Sequence, residues 1–198
     1  SRPSLAVVGA RNATPQGEAN AESFSRALSE AGLCIVSGLA LGIDAAAHRG
    51  GLAGPGSTVA VIGTGADRIY PARNAALARQ IAEAGVIVSE FPLGIGPLAH
   101  NFPRRNRLIA GLAQGVLVVE AALKSGSLIT ARLATDCGRE VFAIPGSIHS
   151  PVARGCHQLI RDGAKLVETA VDILDELRLA PREAVPLLDP TSADDDAD

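Results

Sequence analysis

Residues 102–130, FPRRNRLIAGLAQGVLVVEAALKSGSLIT, contain the parts of one α/β unit. A cationic helix start at 102–107 is followed by the apolar run 116–119 and then by the Lys-Ser-Gly-Ser loop at 124–127. In such a unit, guanidinium groups and free backbone N–H groups come to the same edge of a sheet, and phosphate oxygens accept from both. The stretch therefore predicts a phosphate site.

The same alternation of short apolar runs and helical segments extends along the chain, as in parallel sheets. The strands are expected near 5–9, 33–36, 57–62, 85–89, 115–119, 140–144 and 164–167, and the helices near 16–31, 43–53, 72–84, 104–113, 127–137, 155–162 and 169–179. Near-continuous apolar strands are typical of a sheet covered on both faces. The sequence predicts an extended Rossmann-like three-layer α/β fold, with a mostly parallel sheet of about seven strands and helices on both faces.

Composition favours a soluble globular domain. The 198 residues are 47% hydrophobic, and no apolar run approaches the roughly 18 residues that a membrane span needs. The three cysteines, Cys34, Cys137 and Cys156, are widely spaced and predict neither a disulfide framework nor a zinc site. We expect no metal and no cofactor, reduced thiols and a cytoplasmic location.

The C-terminal stretch differs from the rest in composition. Residues 181–198 contain three prolines, six acids and one arginine, so the net charge of this segment is −5. Since the whole chain has a net charge of −3, the remainder has a net charge of +2. We therefore expect a Rossmann-like domain at 1–180 and a disordered acidic linker at 181–198. Because the chain contains no Met, we also expect it to be part of a longer protein.

The common nucleotide signatures are missing. The first strand is followed by Gly9-Ala10-Arg11-Asn12 instead of G-x-G-x-x-G, and no G-x-x-x-x-G-K-[ST] occurs, which weakens the NAD and ATP interpretations. Instead, the carboxyl ends of most predicted strands carry glycine- or serine-containing turns, where open α/β sheets bind ligands. The long connection 90–100 is a candidate wall or lid beside such a site.

Two pairs of titratable residues are candidates for acid/base chemistry. Asp44 and His48 share a helix face at i, i+4, but a structural role at the helix start is the favoured interpretation. Glu90 and Glu120 each follow a predicted strand, and the commoner outcome is pairing with arginine or capping of backbone N–H groups. The sequence does not predict an enzyme.

Ordered motifs across residues 5–175 carry a more specific signal. They read Val8-Gly9-x-Arg11; Ser37-Gly38-x-Ala40-x-Gly42-Ile43-Asp44-x-x-Ala47-His48; Gly63-x-Gly65-x-Asp67-x-x-Tyr70-Pro71-x-x-Asn74; Phe102-Pro103-x-Arg105-Asn106-Arg107-x-Ile109-x-Gly111-Leu112; Lys124-Ser125-Gly126-Ser127-Leu128-x-Thr130-Ala131; and Pro145-Gly146 with Gly155-Cys156-His157-x-Leu159-Ile160. With these motifs the chain resembles the DNA-processing protein A family (DprA, also called Smf).

The resemblance implies a non-enzymatic recombination mediator that binds single-stranded DNA, protects incoming strands and loads the RecA recombinase during natural transformation. Strand binding without sequence preference also fits several phosphate cradles along one sheet edge. It further implies a homodimer formed through the last helix-strand unit, for which the candidates are Ile160 and Leu166. It also implies a C-terminal domain, absent from this chain, to which the linker at 181–198 leads. Some relatives have a basic residue just after the Tyr-Pro pair, where this chain has Ala72 and then Arg73.

The predicted DNA contacts lie in the turns and in the cationic helix start. They are Arg11, Ser37, Gly38, Phe102, Arg105, Asn106, Arg107, Lys124, Ser125, Gly126 and Ser127, with Phe102 or His100 available to stack on a base. The alternative from another class is a nucleotide-processing or nucleotide-sensing protein resembling the lysine-decarboxylase-like phosphoribohydrolases. The loop at 124–131 lacks the Glu of their P-G-G-x-G-T-x-x-E segment.

Overall fold

The structure, a computed structural model, describes residues 2–179. The strands are β1 (Ser4–Val8), β2 (Cys34–Ser37), β3 (Thr58–Val61), β4 (Val86–Val88), β5 (Gly115–Val118), β6 (Glu140–Ala143) and β7 (Lys165–Leu166). The helices are α1 (Pro15–Glu30), α2 (Ile43–Leu52), α3 (Ala75–Ala84), α4 (Asn101–Leu112), α5 (Ser127–Asp136), α6 (Arg154–Arg161) and α7 (Ala170–Glu176), with short 3₁₀ turns at Ala72–Asn74 and Pro151–Ala153.

The described strands form one seven-stranded parallel sheet in the order β4-β3-β2-β1-β5-β6-β7. The predicted Rossmann-like fold is confirmed. The chain starts in the middle of the sheet, builds outward to β4 and then crosses back to β5 beside β1. The loops after β1 and β5 therefore diverge, which leaves a crevice between them at the carboxyl edge of the sheet.

Both faces of the sheet are buried, as the near-continuous apolar strands predict. Alternate residues of β1 point to opposite sides: Ala6 and Val8 pack with side chains of α4 and α5, whereas Leu5 and Val7 pack with those of α1, α2 and α7. A further cluster joins α2 and α3 to β3. Two rigid layers of helices thus fix the positions of the loops at the sheet edge.

Helix α4 begins at Asn101, three residues before the predicted start. The Asn101 side chain is buried and donates to the carbonyl oxygen of Gly63 at 3.1 Å, so the first turn is anchored to the loop after β3. Pro103 then occupies the first turn, where its missing N–H has no helical acceptor to lose. The earlier start brings Phe102 onto the helix.

Other differences are small, and part of one prediction lies outside the described residues. The last helix ends at Glu176 instead of 179, with Arg178 at a φ of 54°. The linker predicted at 181–198 lies beyond the described residues. Within 2–179, no helix is long and apolar enough to cross a membrane.

Candidate nucleic-acid interface

The main cavity of the described residues lies at the crevice between β1 and β5 and has a volume of about 590 Å³. The turn after β1, the loop after β5, and the first turns of α4 and α5 contribute its walls. Eight of the eleven predicted DNA-contact residues line it: Arg11, Phe102, Arg105, Asn106, Lys124, Ser125, Gly126 and Ser127. Residues up to 116 positions apart in the sequence therefore share one cavity.

Three cationic side chains give this cavity its charge. Arg11 and Lys124 are exposed at its walls, whereas Arg105 is only 4% exposed at its base. Asp44, also in the wall, is buried. The solvent-facing charge of the cavity is therefore positive and suits an anionic ligand.

The loop after β5 leads into a helix start whose geometry suits an anion. The Ser125 and Ser127 hydroxyls contact each other at 2.7 Å, and the Ser127 N–H donates to Ser125 Oγ at 3.3 Å. The exposed Gly126 N–H has no acceptor among residues 2–179. It points from the N-terminus of the ten-residue α5, where unpaired N–H groups and the positive dipole end favour an oxyanion.

Arg105 is a fixed part of the cavity base. One terminal nitrogen donates to the Gly38 carbonyl oxygen at 2.7 Å and also to the Val61 carbonyl oxygen, while Nε donates to the Asn106 side chain at 3.2 Å. Gly38 permits this approach, because a Cβ there would lie 2.8 Å from the Arg105 guanidinium carbon. Burial lowers the pKa of Arg105, and Asp44 opposes that effect. Arg105 thus joins the ends of β2 and β3 to α4.

Asp44 and His48 support the loop after β2 and do not hydrogen-bond to each other. The Asp44 carboxylate accepts from the N–H groups of Gly38 and Ala40, at 3.1 and 3.4 Å. His48 Nε2 accepts from the Leu39 N–H at 3.2 Å, so Nδ1 carries the proton and faces Thr58 Oγ1 at 2.7 Å. The structural interpretation of this pair is confirmed.

Burial dominates the titration of both groups. It raises the pKa of Asp44, against the opposing charge of Arg105, and it lowers the pKa of His48 to about 3. His48 is therefore neutral across the physiological range, as its accepting Nε2 requires. A protonated His48 would lose the bond to Leu39, whose φ of 60° shows that the loop backbone is held in an uncommon conformation.

Phe102 forms an aromatic wall between cations. Its ring centroid is 5.5 Å from the Arg11 guanidinium carbon and 5.9 Å from that of Arg105. Tyr70, 45% exposed, contacts it at a centroid distance of 5.6 Å with a tilt of 43°. A small pocket of about 60 Å³ lies next to this pair and includes Gly38 in its lining. Flat rings beside guanidinium groups are the surfaces on which bases of a single strand stack.

The remaining predicted residues lie beside the cavity. The Ser37 hydroxyl is fully buried and donates to the Val7 carbonyl oxygen at 2.6 Å, beneath the site. Arg107 contacts Glu90 on the other side of α4. His100 and the connection 90–100 contribute nothing to the lining within the described residues. All eleven assignments as DNA contacts stay predictions.

Glu90 and Glu120 do not form a carboxylate pair, and each has the kind of partner that the sequence favoured. Glu90 pairs with arginines of α4, whereas Glu120 accepts from the N–H and the hydroxyl of Thr14, at 2.9 and 2.6 Å. Thr14 in turn caps α1 through the Gly17 N–H. Glu120 thereby fixes the turn that carries Arg11.

Sequence reasoning missed Tyr70 and Asn74 as parts of the site, although both occur in a quoted motif. Asn74 is buried and donates to the carbonyl oxygens of Leu39 and Ala40, at 2.9 and 3.1 Å. Arg73 is exposed on the neighbouring 3₁₀ turn and does not line the main cavity. The Tyr-Pro-x-x-Asn spacing was the available signal for the two missed residues.

The fold and the cavity define the class of protein: a Rossmann-like domain with a cationic ligand site at its topological switch point. The chain belongs to the DNA recombination-mediator protein A family, whose sequence model matches residues 1–178. It is 53% identical over 175 residues to Protein Smf of Escherichia coli, covering 88% of this chain and 47% of that protein. The chain thus spans about half the length of this relative.

Two solved structures are similar throughout the domain. DNA processing protein A (DprA) from Streptococcus pneumoniae has a TM-score of 0.82 and 50% identity, over 88% of this chain and 61% of that one. DNA processing protein A from Helicobacter pylori, described for its mode of binding single-stranded DNA, has a TM-score of 0.81 and 32% identity, over 89% and 80%.

Proposed function

We propose that this chain is the single-stranded DNA-binding domain of a recombination mediator, and that the switch-point cavity holds the strand. The observation that carries the proposal is the juxtaposition of Arg11, Lys124, the Gly126 N–H and Phe102 in one cavity. Cations and N–H groups suit phosphates, while the half-buried Phe102 ring in the cavity wall suits a base. Membership of the family, and the single-stranded DNA binding described for the Helicobacter pylori relative, support the same ligand.

The proposal includes protection of incoming strands and loading of a RecA recombinase in the cytoplasm during natural transformation. Binding through the backbone supports these roles, because a mediator has to accept any sequence. No catalytic step is part of the proposal. Asp44 and His48, the acid/base candidates near the site, are both engaged in holding the loop after β2.

We also propose that two copies pair through the last helix-strand unit. In the described residues β7 is an edge strand with β6 as its single neighbour, and its Leu166 is 45% exposed. Ile160 of α6 is half-buried against the core beside it. An open edge with exposed apolar side chains is a favourable pairing surface. Pairing there would give two cavities to one strand.

The experiment is a titration with oligo-dT at several salt concentrations. For a single strand, the slope of log K against log salt changes by about 0.7 for each phosphate neutralised. Replacing Arg11 and Lys124 by Ala is therefore expected to reduce the slope by about 1.4. Arg2→Ala with Arg79→Ala is the matched control, since it removes two exposed cations away from the cavity.

Four outcomes would contradict the proposal. The double variant at Arg11 and Lys124 could keep the parent slope while folded, or the control variant could lose as much as it does. The parent could instead bind dTMP as tightly as oligo-dT, which would favour a nucleotide sensor. Release of a free base from nucleoside monophosphates would indicate an enzyme.

A further inference from the structure

Helix α4 presents cations on two flanks. At 3.6 residues per turn, Phe102, Arg105 and Asn106 share the flank that faces the cavity, whereas Arg104 and Arg107 lie on the opposite flank. Their side chains are 63% and 53% exposed. The cavity uses the first flank, and its lining does not include the second.

Glu90 restrains both outer arginines. It contacts the Arg107 guanidinium directly, and its Oε1 lies 3.8 Å from Arg104 Nε. Oε1 is nevertheless buried, and within residues 2–179 it has no hydrogen-bond donor. The carboxylate is thus only partly satisfied by its partners. The arginine side of these ion pairs is largely exposed, so the pairs contribute little to stability and a phosphate can compete with the carboxylate.

The outer flank repeats the ingredients of the cavity. The Arg104 guanidinium carbon lies 5.8 Å from the centre of the Phe91 ring, much as Arg11 lies over Phe102. Both flanks belong to the first turns of α4, at the carboxyl edge of the sheet. A strand that leaves the cavity over Phe102 needs to cross only one helix, about 10–12 Å wide, to meet Arg104.

We propose that Arg104 and Arg107 form a second phosphate-binding station for the same DNA strand, and that Glu90 limits its strength. This inference rests on the proposed function, because it needs a strand in the cavity. Phosphates of a longer strand compete with the Glu90 carboxylate for the two guanidinium groups. A short strand ends before it reaches them.

The experiment compares Glu90→Gln with Glu22→Gln on a short oligo-dT and on a longer one. Glu22 is a matched control, since it also contacts two arginines, Arg26 at 3.2 Å and Arg49 at 3.0 Å, and none of the three residues lines the cavity. Glu90→Gln is expected to tighten binding of the longer oligonucleotide roughly twofold to tenfold and to steepen its salt slope by about 0.7–1.4. The short oligonucleotide should gain no more than it does with Glu22→Gln.

A triple variant identifies the source of the gain. Adding Arg104→Ala and Arg107→Ala to Glu90→Gln should abolish the extra affinity for the longer oligonucleotide. Persistence of the gain, or equal gains for Glu90→Gln and Glu22→Gln, overturns the second station and leaves the cavity proposal intact. Failure of the parent to bind either oligonucleotide overturns both.

A variant that keeps Glu90 gives a test if Glu90→Gln does not fold. Arg104→Ala with Arg107→Ala in the parent should weaken binding of the longer oligonucleotide and leave the short one unchanged. Equal affinities of parent and double variant for both lengths would overturn the second station.

Discussion

Replacing Arg105 by Met tests whether this side chain is mainly a DNA contact or part of the framework. In the structure it is 4% exposed and donates to the carbonyl oxygens of Gly38 and Val61. Met retains much of the apolar stem but has no donor. The substitution therefore leaves two carbonyl oxygens without their donor and leaves Asp44 without its nearby cation.

The expected cost follows from those groups. A buried polar group that loses its partner costs about 1–3 kcal/mol, so two carbonyls together cost about 2–6 kcal/mol. Arg105 borders the cavity, and water entering from there can satisfy part of the loss. We therefore expect Arg105→Met to lower the free energy of unfolding by about 2–4 kcal/mol.

Urea unfolding of the parent and the variant measures this cost. Arg107→Met is the matched control, because it makes the same chemical change two residues further along α4 at a side chain that is 53% exposed. A surface change of this kind is expected to stay within about 0.5 kcal/mol. Oligo-dT binding should also weaken for Arg105→Met, since the loop that carries Gly38 loses its tie to α4.

A cost below about 1 kcal/mol for Arg105→Met would refute the framework role. The guanidinium would then be free to turn toward a ligand, and its bonds to Gly38 and Val61 would have little energetic weight. Equal costs for Arg105→Met and Arg107→Met would refute it as well.

Three further outcomes are expected. Gly126→Ala should fold as stably as the parent, since the φ of Gly126 is −62° and a Cβ there would meet nothing within 4 Å. The added methyl group should weaken oligo-dT binding, because we expect a phosphate to approach the N–H of residue 126. Gly111→Ala, at an equally open position, should leave binding unchanged. Because burial lowers the pKa of His48 from 6.5 to about 3, only the unfolded chain gains a proton at this residue between those values, and stability should decrease as the pH is lowered. His48→Gln should remove about 1.6 kcal/mol of the loss that urea unfolding shows between about pH 6.5 and 5. Leu166→Asp should give a monomer in sedimentation, whereas Leu123→Asp, at a side chain that is 54% exposed, should sediment as the parent does.

Much of the fold followed from local patterns. Each predicted strand and helix in residues 2–179 occurs within a few residues of its expected place, because apolar runs, glycine turns and helix starts are properties of neighbouring residues. The strand order does not follow from these local patterns, since several orders are compatible with the same alternation of strands and helices. The motif spacing supplied the family, whereas the strand order came from the structure.

The sequence by itself determined that cations, serines and glycines follow the strands, and therefore that an anionic ligand belongs at that edge of the sheet. Tertiary structure alone decided which of those residues line the cavity. Arg105 donates to carbonyl oxygens 67 and 44 positions away in the sequence, and Glu90 pairs with Arg107, which is 17 positions away. The physical reason is that burial and charge pairing depend on distances in space. A motif places two arginines two residues apart, but only packing puts one beneath the cavity and the other beside a carboxylate.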